Sequence, residues 1–159
     1  MGTVPTADAT GALRRMRRML LFILVLGITG TGTELLLLEH YEDSAQLVPL
    51  ALCALSLVVF AWHGLSHGMS SVRAVQLVMA LFVASGALGI YLHYRGNVEF
   101  ELEMYPDRRG FELFREAMAG ATPALAPGTM VVLGLIGLVY AHRHPRLASR
   151  ANDRHARPA

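Results

Sequence analysis

Four long apolar runs govern what this chain can fold into. They cover roughly residues 19–38, 46–66, 72–94 and 124–141. Each is close to the ~20 residues a helix needs to cross the hydrocarbon of a bilayer. Hydrocarbon cannot hydrogen-bond a bare backbone, so such a run satisfies its own peptide groups as a helix. The expected fold is an all-α membrane protein, a bundle of four transmembrane helices. Composition agrees: 53% of residues are apolar and only 16% charged, against ~25% charged in soluble domains.

Arginine supplies every fixed positive charge, because the chain has no lysine. Arg14, Arg15, Arg17 and Arg18 precede the first run, and five arginines follow the fourth. The turn after the first run has none. Basic flanks stay on the cytoplasmic side, so both termini are expected inside and the acidic loops outside. The expected location is a cytoplasmic membrane of the bacterial inner-membrane type, crossed several times. A basic start and an apolar middle also suit a signal peptide. The run continues past Glu34 to Leu38 without a clean small-x-small site, so an uncleaved helix is the reading. The arginines flank apolar runs rather than forming a stripe with interleaved aromatics, which argues against nucleic acid. The expected partners are membrane lipid and a homo-oligomer or larger membrane complex.

The flanks and loops divide as follows. Residues 1–18 read as a cytoplasmic basic tail, 19–145 as the transmembrane domain, and 146–159 as a loose basic tail. The loop 95–123 is the longest segment outside the runs. Within it, Val98 to Met104 alternates apolar and acidic residues, the period of a half-buried extended segment. Pro106 and Asp107 stop that segment. Asp107 is a candidate cap for an amphipathic helix near 108–119 that carries Phe111, Phe114 and Met118 on one face. Such a helix suits the outer membrane interface.

Two similarities suggest tandem helical hairpins. The first and third runs leave through His40-Tyr41 and His93-Tyr94. In the second and fourth, Pro49 and Pro127 each precede an aromatic by thirteen residues, Trp62 and Tyr140. The preference of tyrosine and histidine for interfaces explains the same pattern without a duplication. Trp62, Tyr91, Tyr94 and Tyr140 read as interface anchors, and Cys53 as a small buried hydrophobe.

Glu34 is the sharpest chemical signal. An ionisable group inside a spanning helix usually faces the bundle interior or water and has a partner. Glu39, His40 and Glu42 follow it, and the outer end of the third run adds His93 and Glu99. Imidazole with carboxylate suits a divalent transition metal. The candidate metal set is therefore Glu34, Glu39, His40, Glu42, His93 and Glu99, and a solvated acidic face accounts for the same residues. His63 and His67 are four apart at the opposite end, with His142 and His144 as possible further ligands. The pairs His40/His93 and His63/His142, one near each surface, are also the arrangement of a two-haem cytochrome, although they sit shallow for haem.

Three function classes follow. The first is an accessory or scaffold component of a membrane complex. The second is a metal- or proton-binding protein using Glu34 and the outer His/Glu cluster. The third and least favoured is a bis-histidine haem protein. No residue set specifies a reaction, so the balance leans away from an enzyme.

Overall fold

A computed structural model describes residues 7–66, 68–120, 122–145 and 147. Among them the chain is helical: α1 (Ala7–Leu37), α2 (Ser44–Leu65), α3 (Met69–Met104), α4 (Gly110–Met118) and α5 (Gly128–Ala141). The first three are long and apolar enough to cross a membrane, which is consistent with a membrane location. α5 has 14 residues, ~21 Å of helix, and falls short of the ~30 Å hydrocarbon core by itself.

α1 packs on α2 and α5, and α3 packs on α2, α4 and α5. The helices α1, α2, α3 and α5 alternate in direction. One end of the assembly therefore holds the arginines of α1, the α2–α3 turn and the end of α5. The other holds the acidic turns. Leu24 and Ile28 of α1 meet Phe60 of α2, Val75, Met79 and Phe82 of α3, and Leu133 of α5 in one apolar core. Large apolar side chains such as Phe22, Leu77 and Val132 cover the outside. An aqueous surface would be expected to aggregate with such patches, whereas hydrocarbon accommodates them.

Close backbone approach joins α3 to α5. A Cβ on Gly134 would lie 2.7 Å from the Met79 carbonyl oxygen and 2.9 Å from the Val83 nitrogen. A Cβ on Gly86 would lie 2.8 Å from the Pro127 carbonyl oxygen. Small residues allow this contact where lipid removes any hydrophobic drive between helices.

Two expectations are corrected. Residues 98–104 are not extended: α3 runs unbroken to Met104. Glutamate, leucine and methionine are good helix formers, and extending an existing helix is far easier than nucleating one. The Arg95–Glu99 pair at 2.9 Å adds i,i+4 support, and the helix continues until Tyr105 and Pro106. The first helix begins at Ala7 rather than near Met19, so the arginine cluster is helical. A short helix does form near 108–119, and α4 (Gly110–Met118) stands antiparallel along the outer part of α3. Arg108 pairs with Glu101, and the Ala117 carbonyl accepts from Asn97 at 2.8 Å. α2 starts at Ser44 behind an Asp43/Gln46 capping box, which puts Pro49 in its second turn. Residues 1–6, most of the tail 146–159 and His67 lie outside the described residues.

Gly134→Ala forces α3 and α5 apart and is expected to cost about 1–3 kcal/mol. A Cβ on Gly30 would meet nothing within 4 Å, so Gly30→Ala, the control, is expected to be neutral or stabilising by up to about 1 kcal/mol. Equilibrium unfolding in mixed micelles measures both.

Candidate functional site

Two histidine-centred clusters form, one at each end of the helices. The first is buried at the arginine-bearing end. His63, in the last turn of α2, is 2% exposed, and Tyr140 of α5 is 5% exposed. His63 Nε2 lies 2.8 Å from the Tyr140 hydroxyl, and Nδ1 lies 3.0 Å from Ser71 Oγ of α3. Ser71 in turn donates to the Gly68 carbonyl at 2.9 Å. Proton positions follow from that carbonyl, which can only accept. Ser71 spends its proton there and accepts from His63 Nδ1–H. With a neutral imidazole, Nε2 then accepts from the Tyr140 hydroxyl. The chain of donors runs from α5 through α2 to α3 and ends on the α2–α3 turn.

Local sequence places these groups. The closeness of the end of α2 at Leu65 to the start of α3 at Met69 brings Ser71 back beside His63. Tyr140 arrives because α5 runs tightly along α3. His144 lies against both rings, at centroid distances of 5.4 Å from His63 and 5.8 Å from Tyr140. It is turned inwards by Arg143, whose φ is +45°. Arg17 of α1 closes over this end, donating to the Arg143 carbonyl at 3.2 Å. A Lys or Arg at a helix C-terminus satisfies carbonyls that lack intrahelical partners.

The second cluster is at the acidic end. α1 finishes in a Schellman turn. His40 N–H donates to the Leu35 carbonyl at 2.9 Å and Glu39 N–H to the Leu36 carbonyl at 3.1 Å. Glu39 occupies the left-handed position, with φ +53°. His40 follows it and meets His93 of α3, with ring centroids 6.3 Å apart. His93 Nδ1–H donates to the Pro123 carbonyl at 3.1 Å. Just beyond, buried Asn97 donates to the Thr122 carbonyl at 2.6 Å and accepts from the Thr122 amide at 3.3 Å. A Cβ on Gly120 would strike the Asn97 amide at 2.7 Å. Asn97 thus pins the α4–α5 connection to α3.

Of the six candidate metal ligands, the structure brings together His40 and His93. Glu34 is exposed on the flank of α1, away from the face that carries Leu24 and Ile28. Glu39 and Glu42 are exposed in the turn, and Glu99 is paired with Arg95. Among the described residues no three His, Cys, Asp or Glu side chains converge as a metal-holding group. Of the two histidine pairs weighed for haem, His40 and His93 adjoin. His63 instead meets Tyr140 and His144, while His142 is exposed. Tyr140, expected as an interface anchor, is a buried hydrogen-bonding residue. The signal for it was present: Tyr140 and His144 lie one helical turn apart at the end where His63 and Ser71 flank a turn.

No protein family, no curated protein and no solved structure matches the chain.

Tyr140→Phe removes a buried hydroxyl donor and is expected to cost about 1–2 kcal/mol. Ser71→Ala loses the next link of the same chain. The two losses should be non-additive in a double-mutant cycle read by unfolding.

Proposed function

We propose that the protein is a small multi-pass component of a cytoplasmic membrane, serving as an accessory or scaffold subunit of a membrane complex. In this reading four helices cross the bilayer. α1–α2 and α3–α5 form tandem hairpins, and both termini are cytoplasmic. The turns at 123–127 and 142–144 lengthen α5 towards a full crossing. The arginine clusters at one end support that orientation.

One observation carries the scaffold reading: α3 continues past its apolar part as a projection to which α4 is clamped. Asn97 holds the base of the clamp. Arg108 holds the tip by pairing with Glu101 and Glu112 and lying 4.1 Å over the Tyr105 ring. Tyr94 and Phe114 pack between them, with centroids 5.9 Å apart. The clamp leaves Phe111 79% exposed and Phe100 and Met104 more than half exposed. A pre-ordered aromatic surface loses little entropy on docking, and aromatic residues are enriched at interfaces. The fitting partner is another subunit of the same membrane complex.

Two measurements test the reading. In a Cys53→Ala background, Glu103→Cys is expected to react with an impermeant maleimide added outside, and Ala12→Cys only after permeabilisation. A photo-crosslinking residue at Phe111, in native membranes, is expected to give one discrete protein adduct that Asn97→Ala weakens. The same residue at Leu77 is expected to give lipid adducts alone. Lipid adducts alone at Phe111 would overturn the scaffold reading.

A further inference from the structure

We propose that His40 and His93 form a two-histidine binding site for a divalent first-row metal ion of the zinc, nickel or copper class, which ties the end of α1 to α3. The site is independent of what the α3–α4 projection docks.

Three observations converge on it. The first is the hydrogen bond of His93. Its Nδ1–H is committed to the Pro123 carbonyl at 3.1 Å, so in the neutral ring the Nε2 lone pair is the one available for coordination. A ring nitrogen held by a backbone carbonyl while the other faces the ion is the usual arrangement of a metal-ligating histidine, because it sets the tautomer and the ring angle. Imidazole is also a ligand that suits these ions.

The second is the separation of the rings. With metal–nitrogen bonds of ~2.0–2.1 Å, two imidazoles on one ion have centroids from ~5 Å apart at a tetrahedral angle to ~6.4 Å apart when collinear. The observed 6.3 Å lies at the collinear end of that span, so side-chain rotation has to draw the rings together by about 1 Å to reach the tetrahedral angle. Both rings are half-buried, which leaves a path for the ion and room for water to complete its coordination.

The third is backbone strain at Glu39. Left-handed φ is uncommon for a residue with a Cβ, and the C′ position of a Schellman turn is usually glycine. Among the described residues only Glu39 and Arg143 take a left-handed φ without being glycine. Each directly precedes a histidine that meets a histidine of another helix. At Glu39 the left-handed turn delivers His40 to α3, and the two carboxylates Glu39 and Glu42 flank His40 in sequence. Their negative charge favours a bound cation.

The test uses the full-length chain, purified in mild detergent without a polyhistidine tag and stripped with chelator. Zinc chloride alone is titrated while thermal unfolding is followed, and bound zinc is measured by elemental analysis after ultrafiltration. The expected result is a melting temperature that rises and saturates at about one ion per chain, as mass action requires for an ion that binds the folded state. EDTA should reverse the rise. His40→Ala and His93→Ala should each abolish it, and His142→Ala, at an exposed histidine elsewhere, should keep it. If His93→Ala fails to fold after losing its bond to Pro123, His40→Ala decides alone, since that side chain has a half-exposed site in a turn. No rise with zinc, or a rise that survives His40→Ala, overturns the proposal.

Discussion

The contact of α3 with α5 through Gly86 and Gly134 is the constraint on which the rest of the structure depends. In hydrocarbon the helices gain nothing from hiding apolar surface, so they are held by packing and by interhelical hydrogen bonds. Bringing a built Cβ within 2.7 Å of a facing carbonyl oxygen means that the two backbones themselves touch. That approach carries Tyr140 towards His63 at one end. At the other it draws Pro123 and Thr122 under His93 and Asn97. Both histidine clusters are therefore consequences of the same glycine-lined seam.

Each end uses polar groups differently. At the arginine-bearing end, His63 is almost completely buried, and each of its ring nitrogens has a hydroxyl partner. Burying an imidazole without partners would cost several times what one hydrogen bond returns. The Tyr140–His63–Ser71 chain thus specifies how α2, α3 and α5 meet as much as it stabilises them. At the acidic end the polar groups bind backbone carbonyls of a connection rather than one another. Asn97 and His93 reach Ala117, Thr122 and Pro123. They supply donors to a turn that interrupts the helical course between α4 and α5, where carbonyls would otherwise lack them.

Much of the helical organisation was legible because apolar run length reports directly on hydrocarbon. Four things were not. The alternation at 98–104 reads as a strand only if its neighbours are ignored. The helix already running through Tyr94 decides its conformation, since propagation needs no new nucleus. Ala7–Leu13 carries no apolar periodicity, yet it continues a strong helix backwards for the same reason. Glu34 was the sharpest chemical signal, and the structure leaves it exposed on the flank of α1. A lone acid gives its depth along a helix from sequence, but its direction depends on which face packs. The buried site at His63 was missed for a related reason. Its members come from three helices and become neighbours only when the glycine seam is formed.

The two left-handed residues extend this reasoning from packing to chemistry. Glycine at Glu39 or Arg143 would end the helix with less strain, by roughly 1–2 kcal/mol. Such an outlier points from geometry towards function when it recurs with the same consequence. Here both instances turn a half-buried histidine onto the histidine of another helix, which is buried at His63 and half-buried at His93. The rings of His63 and His144 lie beside a hydroxyl chain that occupies the His63 nitrogens, so they close a helix junction. At the half-buried pair, His93 has one nitrogen engaged and the other left for coordination. Two different turns, a Schellman turn at Glu39 and a β-turn closed by the His144 N–H on the Ala141 carbonyl, thus each deliver a histidine to a neighbouring helix. The two ends differ in what the remaining ring nitrogens touch.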